Sequence, residues 1–186
     1  MIEHYNRVEV NRGLISNFIK LFMESRGPQN KMKFLSYSVK DLLNKFFNRP
    51  QEHKDILIEF KGAKVWFGFG SGELSSYIEI FLRKDYERLP NFIPSENGIV
   101  FDIGANIGLY TIRQSKRMRN GKIYAFEPNP FVFKRLQKNI NENSLNNVLL
   151  FNIAFYSEPG EFFLSSPEGG VLPLELSLAK IVLQNG

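Results

Sequence analysis

The sequence predicts an α/β fold with a parallel sheet, and three features carry that prediction. An apolar run at residues 99–103 leads into a glycine-containing turn and a helical pattern over residues 109–119. A second run at 122–126 ends at Glu127 before another helical pattern, and a third run spans residues 148–153. Strand and helix patterns that alternate in this way are typical of βαβ units. The first run is apolar throughout, so we expect it to be a buried strand.

Two amphipathic helices are predicted ahead of this unit. Apolar residues recur at spacings of three and four over residues 8–24 and again over residues 34–47, and Gly27-Pro28 separates the two patterns. We interpret their Phe-rich stripe as packing against the rest of the chain. Binding to a membrane surface or a partner is the alternative for the same amphipathic pattern.

A β-hairpin and an approach helix are predicted next. Residues 55–69 alternate in hydrophobicity around a turn at Lys61-Gly62, as paired strands do. Residues 73–89 then return to a helical pattern, for which we expect the inward residues to be Tyr77, Ile80, Phe81 and Leu89. We therefore divide the chain into a helical attachment (1–50), a hairpin with its approach helix (51–97) and a partial sheet domain (98–186).

Composition excludes several classes of function. The 186 residues contain no Cys and two His, which removes disulfides and thiolate chemistry and leaves little for a metal site, so none is predicted. With neither an apolar run of the roughly 20 residues that span a bilayer nor a signal peptide, we expect a soluble, uncleaved, cytoplasmic protein. The net charge of +5 is spread thinly over the two halves, so nucleic-acid binding is not expected.

One group of basic side chains could form an anion-binding patch. We interpret it instead as a solvated helix face. Its members are Arg113, Lys116, Arg117, Arg119 and Lys122.

The turn after the first strand of the βαβ unit indicates the kind of ligand. Its glycines, Gly104 and Gly108, fall at relative positions one and five, whereas a dinucleotide turn needs positions one, three and six. Asp102 precedes the first glycine by two residues and suits a cationic ligand, a requirement that S-adenosylmethionine meets with its ammonium and sulfonium groups. Glu127 follows Gly108 by 19 residues, at the strand end where nucleoside sites place an acid for the ribose hydroxyls.

Together these motifs resemble one enzyme family. Asp-Ile-Gly-Ala-Asn-Ile-Gly at 102–108 and Ala-Phe-Glu-Pro-Asn at 125–129 are similar to the FkbM family of class I S-adenosylmethionine-dependent methyltransferases. The resemblance covers about residues 77–164 and implies a Rossmann-like fold with S-adenosylmethionine as cofactor. The cofactor-binding residues that it implies are Asp102, Gly104, Ala105, Asn106, Gly108, Glu127, Asn152 and Ala154.

The implied roles differ in how well the sequence supports them. Asn152 and Ala154 would contact adenine, although a turn or capping role suits Asn152 equally well. Tyr110 and Thr111 are expected to line the cofactor pocket or to pack the first helix of the unit. No catalytic residue is identified.

The chain departs from a complete class I methyltransferase in its second half. Three central strands and one extra strand at 161–164 are predicted, so the Rossmann-like fold is incomplete and contains only the N-terminal half of the parallel sheet. The edge of the first strand of the unit would then need a cover, either the tail at 171–185 or self-association through the open edge. We favour a truncated form over a fold that a partner completes.

The resemblance implies O-methylation of a sugar or natural-product hydroxyl. The expected partner is a small-molecule or glycan methyl acceptor, with no nucleic acid and no transmembrane segment. Two alternatives stay open. One is a non-catalytic S-adenosylmethionine-binding or interaction module, an inactive fragment. The other is an NAD-dependent oxidoreductase, which the glycine spacing disfavours.

Overall fold

Two helices open the described part of the chain. The computed structural model describes residues 7–47, 55–68, 72–155, 162–165 and 171–174. Helix α1 spans Arg7–Glu24 and α2 spans Gly27–Phe46, as the periodicity predicts. Gly27 has a φ of +69°, a left-handed conformation that glycine tolerates, and Pro28 occupies the first turn of α2. The predicted break between the helices is therefore confirmed.

The predicted β-hairpin is present and is tied to the junction of the helices. Strand β1 (Asp55–Glu59) pairs antiparallel with β2 (Lys64–Gly68), and the turn between them is closed by a bond from the Phe60 N–H to the Ala63 carbonyl. At the junction, the Arg26 N–H donates to the Glu59 carbonyl at 2.8 Å. Backbone hydrogen bonds thus fix the helical pair to the hairpin.

The approach helix is shorter than predicted. Helix α3 (Glu73–Tyr77) widens into a π-helical segment, Ile78–Arg83, which ends where Lys84 adopts a φ of +56°. Two short 3-10 turns follow at Asp85–Glu87 and Pro90–Phe92. Tyr77 and Ile80 are buried as expected, whereas Leu89 lies beyond the helix and is 62% exposed, so its inward placement was wrong.

The βαβαβ unit forms as predicted. Strands β3 (Ile99–Ile103), β4 (Lys122–Phe126) and β5 (Val148–Phe151) make a parallel sheet in the order β3-β4-β5. Helix α4 (Leu109–Ser115) connects the first two strands and ends four residues before the predicted 119. Helix α5 (Pro130–Glu142) connects the second pair.

Strand β3 lies at the edge of this sheet, and the expectation that it is buried was wrong. Phe101 is 43% exposed, and Ile99 and Ile103 are more exposed still. Within β3, Val100 and Asp102 are half-buried, and the three residues that alternate with them are exposed. The strand order explains the difference, because a strand with one neighbour among the described residues leaves an edge and a face uncovered.

Strands β6 (Phe162–Ser165) and β7 (Val171–Leu174) pair antiparallel in a sheet of their own. The extra strand predicted at 161–164 is therefore present, shifted by one residue. The expected cover over β3 is not formed by β7, which pairs with β6 instead. Residues 175–185 of that predicted cover lie outside the described residues.

A single buried apolar cluster joins the helical pair, the hairpin and the α/β unit. It includes Phe34 of α2, Phe67 of β2, Ile112 of α4 and Leu136 of α5. The division into three domains stays a prediction. No helix in the described ranges is long and apolar enough to cross a membrane.

Candidate cofactor site

The turn between β3 and α4 has the conformation that its glycines predict. Gly104 has a φ of +77°, Asn106 of +52° and Gly108 of +86°. The N–H groups of Gly104 and Ala105 both donate to the Phe126 carbonyl at 2.9 Å. The turn is thereby fixed to the carboxyl end of the neighbouring strand β4.

The two glycines are needed for different reasons. A Cβ at Gly104 would meet no atom within 4 Å, so this position is open to a ligand. A Cβ at Gly108 would lie 2.4 Å from the Cδ1 atom of buried Leu136, so this position lets α5 pack against the turn. Gly104 therefore exposes the backbone, and Gly108 permits close packing.

A cavity of about 400 Å³ lies beside this turn, within the rough range of 300–1,000 Å³ for small-molecule sites. Its lining includes the carboxylates of Glu73, Glu79 and Asp102 and, among the residues that the structure describes, no Lys, Arg or His. Arg135 neutralises Glu73 through a 2.7 Å contact. The electrostatics of the cavity favour a cation, as the sequence predicts from Asp102.

The cavity brings together four of the eight predicted cofactor residues and leaves the other four outside. The four in its lining lie at the end of β3 and in the turn, and they are Asp102, Gly104, Ala105 and Asn106. The four outside are Gly108, which directly precedes α4, and three residues that follow strands β4 and β5, namely Glu127, Asn152 and Ala154.

Asp102 is held by the first turn of α4. The Thr111 hydroxyl donates to its Oδ2 atom at 2.5 Å, a contact that the sequence alone does not reveal. Burial raises the pKa of Asp102 above its usual range, against the opposing effect of the hydrogen bonds from Thr111. Thr111 therefore orients the carboxylate at the rim of the cavity.

Glu127 joins the two turns at the carboxyl ends of β3 and β4. Its Oε2 atom accepts from the Asn106 N–H and its Oε1 atom from the Asn129 N–H, both at 2.9 Å. Burial raises the pKa of Glu127, with a further contribution from the negative charge of Asp102. A carboxylate has about four acceptor positions, so these two hydrogen bonds leave part of its capacity unused.

Asn152 has the capping role that the sequence left open. Its Nδ2 atom donates to the Glu127 carbonyl at 2.7 Å and to the Pro128 carbonyl at 3.0 Å. The side chain thus orders the backbone after β4. Its predicted contact with adenine stays a prediction, as does that of Ala154.

Asn139 supports the turn from α5, a role that sequence reasoning missed. Its side chain is fully buried, donates to the Ile107 carbonyl at 2.8 Å and accepts from the Trp66 N–H at 2.7 Å. The only signal was a polar residue on the apolar face of a predicted helix, next to Ile140. Asn139 links the turn, α5 and the hairpin.

The basic group on α4 and beyond is largely paired with protein atoms. Arg113 forms a bidentate pair with Glu87, at 2.6 and 3.0 Å. Lys116 donates to the Gly62 carbonyl at 2.7 Å. These contacts favour the interpretation as a helix face over an anion patch.

Residues 79–156 match the family described as "TRM5/TYW2 methyltransferase domain". A 58-residue segment is 43% identical to a tRNA(Phe) (4-demethylwyosine(37)-C(7)) aminocarboxypropyltransferase of Methanocaldococcus jannaschii, covering 31% of this chain and 23% of that protein. The crystal structure of M. jannaschii TYW2 with AdoMet is 26% identical, with a TM-score of 0.41 over 54% of this chain and 43% of that one. The chain thus spans about a quarter of the length of the curated relatives it matches.

The comparisons change two expectations. The FkbM family is represented by a Methylobacillus flagellatus structure at 12% identity and a TM-score of 0.33, covering 89% of this chain and 37% of that one, so the FkbM assignment is not confirmed. The expectation of a small-molecule or glycan acceptor without nucleic acid was wrong, because the M. jannaschii relative is named for its action on tRNA(Phe). The net charge counted over the two halves of the chain was a poor guide, since it does not describe the charge of one surface.

The family match coincides with the site. Residues 79–156 contain β3, the glycine turn, α4, β4, α5 and β5, and every predicted cofactor residue falls within this range. The match confirms the predictions of a methyltransferase-type α/β unit and of S-adenosylmethionine as its cofactor. This segment is similar to the TRM5/TYW2 methyltransferase domain.

Proposed function

We propose that the chain supplies the S-adenosylmethionine-binding part of a methyltransferase that modifies a tRNA nucleotide. The observation that carries the proposal is the match of residues 79–156 to the TRM5/TYW2 methyltransferase domain, over the very unit that forms the acidic cavity. The M. jannaschii relative, named for its action on tRNA(Phe), supports the same class of substrate.

The residues of the site fit this cofactor. The carboxylates of Asp102 and Glu79 on the cavity would attract the ammonium and sulfonium groups. Gly104 leaves the backbone open beside them, and Glu127 would accept hydrogen bonds from the ribose. When bound, S-adenosylmethionine supplies an electrophilic carbon on a positively charged sulfur. The chain's own residues bind and orient it.

Transfer of an aminocarboxypropyl group is a second candidate reaction. The observation in its favour is the name of the 43% identical relative, an aminocarboxypropyltransferase. The two reactions differ in which carbon leaves the sulfonium, and hence in the thioether left behind. Methyl transfer releases S-adenosylhomocysteine, whereas aminocarboxypropyl transfer releases 5′-methylthioadenosine.

The first experiment is calorimetric titration of the full chain with S-adenosylmethionine, S-adenosylhomocysteine and NAD. We expect the first two to bind and NAD not to bind. Glu127→Ala should weaken binding by about 1–3 kcal/mol, the cost of losing a charged hydrogen-bond partner. Glu127→Gln keeps one acceptor oxygen, so its affinity for S-adenosylmethionine should lie between those of the parent chain and Glu127→Ala. Circular dichroism of each variant separates a binding defect from unfolding, because Glu127 also joins the two turns.

The second experiment identifies the reaction and its acceptor. The chain is incubated with S-adenosylmethionine and unmodified tRNA, and the thioether product is identified by mass spectrometry. A sugar and a natural-product alcohol serve as comparison acceptors, because O-methylation of such hydroxyls has no support from the comparisons. Cofactor binding without any product would identify a non-catalytic module and contradict the proposed transfer.

A further inference from the structure

We propose that the helical pair α1–α2 docks the protein on the surface of an anionic lipid bilayer. The proposal concerns the outer helical face, a set of ten exposed large apolar side chains on the two helices and at the C-cap of α2. These are Phe18, Ile19, Met23, Met32, Leu35, Val39, Leu42, Leu43, Phe46 and Phe47. None of them lines the cofactor cavity, so the inference does not rest on the proposed function.

Helix α2 has two apolar stripes instead of one. Its inner stripe includes Phe34 and Tyr37, which are fully buried against the hairpin side of the core. A second stripe comprises Met32, Leu35, Val39, Leu42 and Phe46, again at spacings of three and four, and its members are between 38% and 80% exposed. A helix on the surface of a globular protein ordinarily has one apolar stripe. We therefore expect the second stripe to contact an apolar surface outside the described fold.

Helix α1 extends the exposed apolar surface. Phe18, Ile19 and Met23 are exposed, and the Phe18 ring lies 5.1 Å from that of Phe34, where the two helices adjoin. Single exposed apolar residues are ordinary, but a group of ten on two packed helices is typical of an interaction surface.

The net charge of the protein is concentrated on the same segment. Residues 1–50 contain nine Lys or Arg and four Asp or Glu, which equals the whole net charge of +5, while the remaining 136 residues are balanced at 15 of each sign. Lys20 and Lys33 are exposed on the two helices. Charge complementarity thus points to an anionic partner, and the like charges oppose pairing with a second copy of the same face.

A lipid surface satisfies both properties of the outer helical face. Its anionic headgroups would contact the lysines, and its acyl chains would accept the aliphatic side chains, as for helices that lie in the plane of a membrane interface. RNA offers phosphates and stacking bases but no environment for Leu, Ile, Val and Met side chains. These chemical properties favour the bilayer over RNA.

The test is flotation of the full chain with vesicles of phosphatidylcholine, alone or with about 30% phosphatidylglycerol. We expect the protein to float with the anionic vesicles only. Leu42→Gln with Phe46→Gln removes apolar surface, and Lys20→Glu with Lys33→Glu reverses charge. Each pair should lower the bound fraction by at least about tenfold. Arg119→Glu with Lys134→Glu makes the same change in charge at exposed positions outside the segment and should leave binding unchanged.

A fluorescent reporter gives an independent measurement. The chain contains one tryptophan, Trp66, on β2. Adding Leu42→Trp should give emission that shifts to the blue with anionic vesicles, whereas the parent chain should show no such shift. Circular dichroism confirms that each variant is folded. Absence of flotation by the folded parent would overturn the proposal. A second result would also overturn it. If the double lysine variant no longer binds the vesicles while the Leu42→Gln, Phe46→Gln variant still does, binding depends on charge alone, and the face would be assigned to a polyanion such as RNA.

Discussion

Gly104 and Gly108 share a left-handed backbone but serve different purposes, which alanine substitutions can separate. Gly104→Ala should cost about 1–2 kcal/mol of stability from its φ alone and should also weaken cofactor binding, because Gly104 lines the cavity. Gly108→Ala adds a collision with Leu136 and should lower stability further. Urea unfolding measures the loss of stability, and calorimetry measures the loss of cofactor affinity.

Gly72 provides the matched control for these variants. It has a φ of +72°, a Cβ there would meet no atom within 4 Å, and it does not line the cavity. Gly72→Ala should therefore show the backbone cost without a binding defect. If Gly104→Ala and Gly72→Ala bind the cofactor equally well, the turn does not approach the ligand closely.

Tyr77 is a buried aromatic residue whose hydroxyl has no hydrogen-bond partner among the described residues. Its ring stacks on Phe81 at a centroid distance of 4.4 Å and packs at a tilt of 32° against Phe60 at the same distance. Tyr77→Phe keeps these contacts and removes an unsatisfied polar atom. We expect it to leave the free energy of unfolding unchanged or to raise it by up to about 1 kcal/mol. A loss of more than that in urea unfolding would show that the hydroxyl is bonded.

At the scale of elements, side chains of α5 form hydrogen bonds with the backbone of β2, where a neighbouring strand would otherwise pair. Asn139 and Asn143 lie one turn apart on α5 and bond to alternate residues of β2, Trp66 and Lys64. Each asparagine accepts from a backbone N–H and donates to a backbone carbonyl, as a neighbouring strand would. This edge of β2 is thereby protected from pairing with other chains.

Asn139→Leu should destabilise the fold and loosen the cofactor turn. The substitution keeps the size of the side chain but leaves the Trp66 N–H and the Ile107 carbonyl without their partner, at a cost of about 1–3 kcal/mol. Asn141→Leu, at an exposed position on the same helix, is the control and should cost far less. Equal losses in urea unfolding would contradict the role given to Asn139.

The elements show what periodicity can and cannot predict. Helices α1 and α2, the hairpin and the βαβαβ unit follow from the spacing of apolar residues, because burial on one face dictates that spacing. The end of the approach helix at Lys84 does not follow from it, since the π-helical segment changes the repeat. The exposure of β3 also escaped prediction, because an apolar run does not reveal how many neighbours a strand has.

The cofactor site was predictable at the level of the turn and much less so at the level of its supports. Glycines and acids at strand ends leave a local signal, as Gly104 and Asp102 do. Thr111 and Asn139 act through side-chain hydrogen bonds between different elements, and such contacts leave no pattern in one chain. The tRNA similarity was missed for a related reason, because the charge of the whole chain does not report its distribution on the surface.

At the scale of the whole molecule, ion pairs connect the hairpin, the approach helix and α5. Arg135 contacts Asp55 of β1 at 2.9 Å and Glu73 of α3 at 2.7 Å, and Glu73 in turn accepts from the Gly68 N–H. Glu73 also lines the cavity. Glu73 of α3 is therefore part of the cavity wall, and residues of the hairpin and of α5 hold it in place.

The buried carboxylate of Asp102 on the cavity predicts how cofactor binding depends on pH. Burial raises the pKa of Asp102, so its carboxylate gains a proton at a higher pH than an exposed aspartate does. As the pH falls through that raised value, the cavity loses a negative charge and its attraction for a cation weakens. The affinity for S-adenosylmethionine, measured by calorimetry, should therefore decrease as the pH is lowered from neutral, and the decrease should begin at a higher pH than an exposed aspartate would cause. Asp102→Asn should bind more weakly at neutral pH and depend less on pH, with the remaining dependence due to Glu127, whose pKa is also raised by burial. An affinity for the parent chain that stays constant while the protein remains folded would show that the charge of Asp102 does not hold the cofactor.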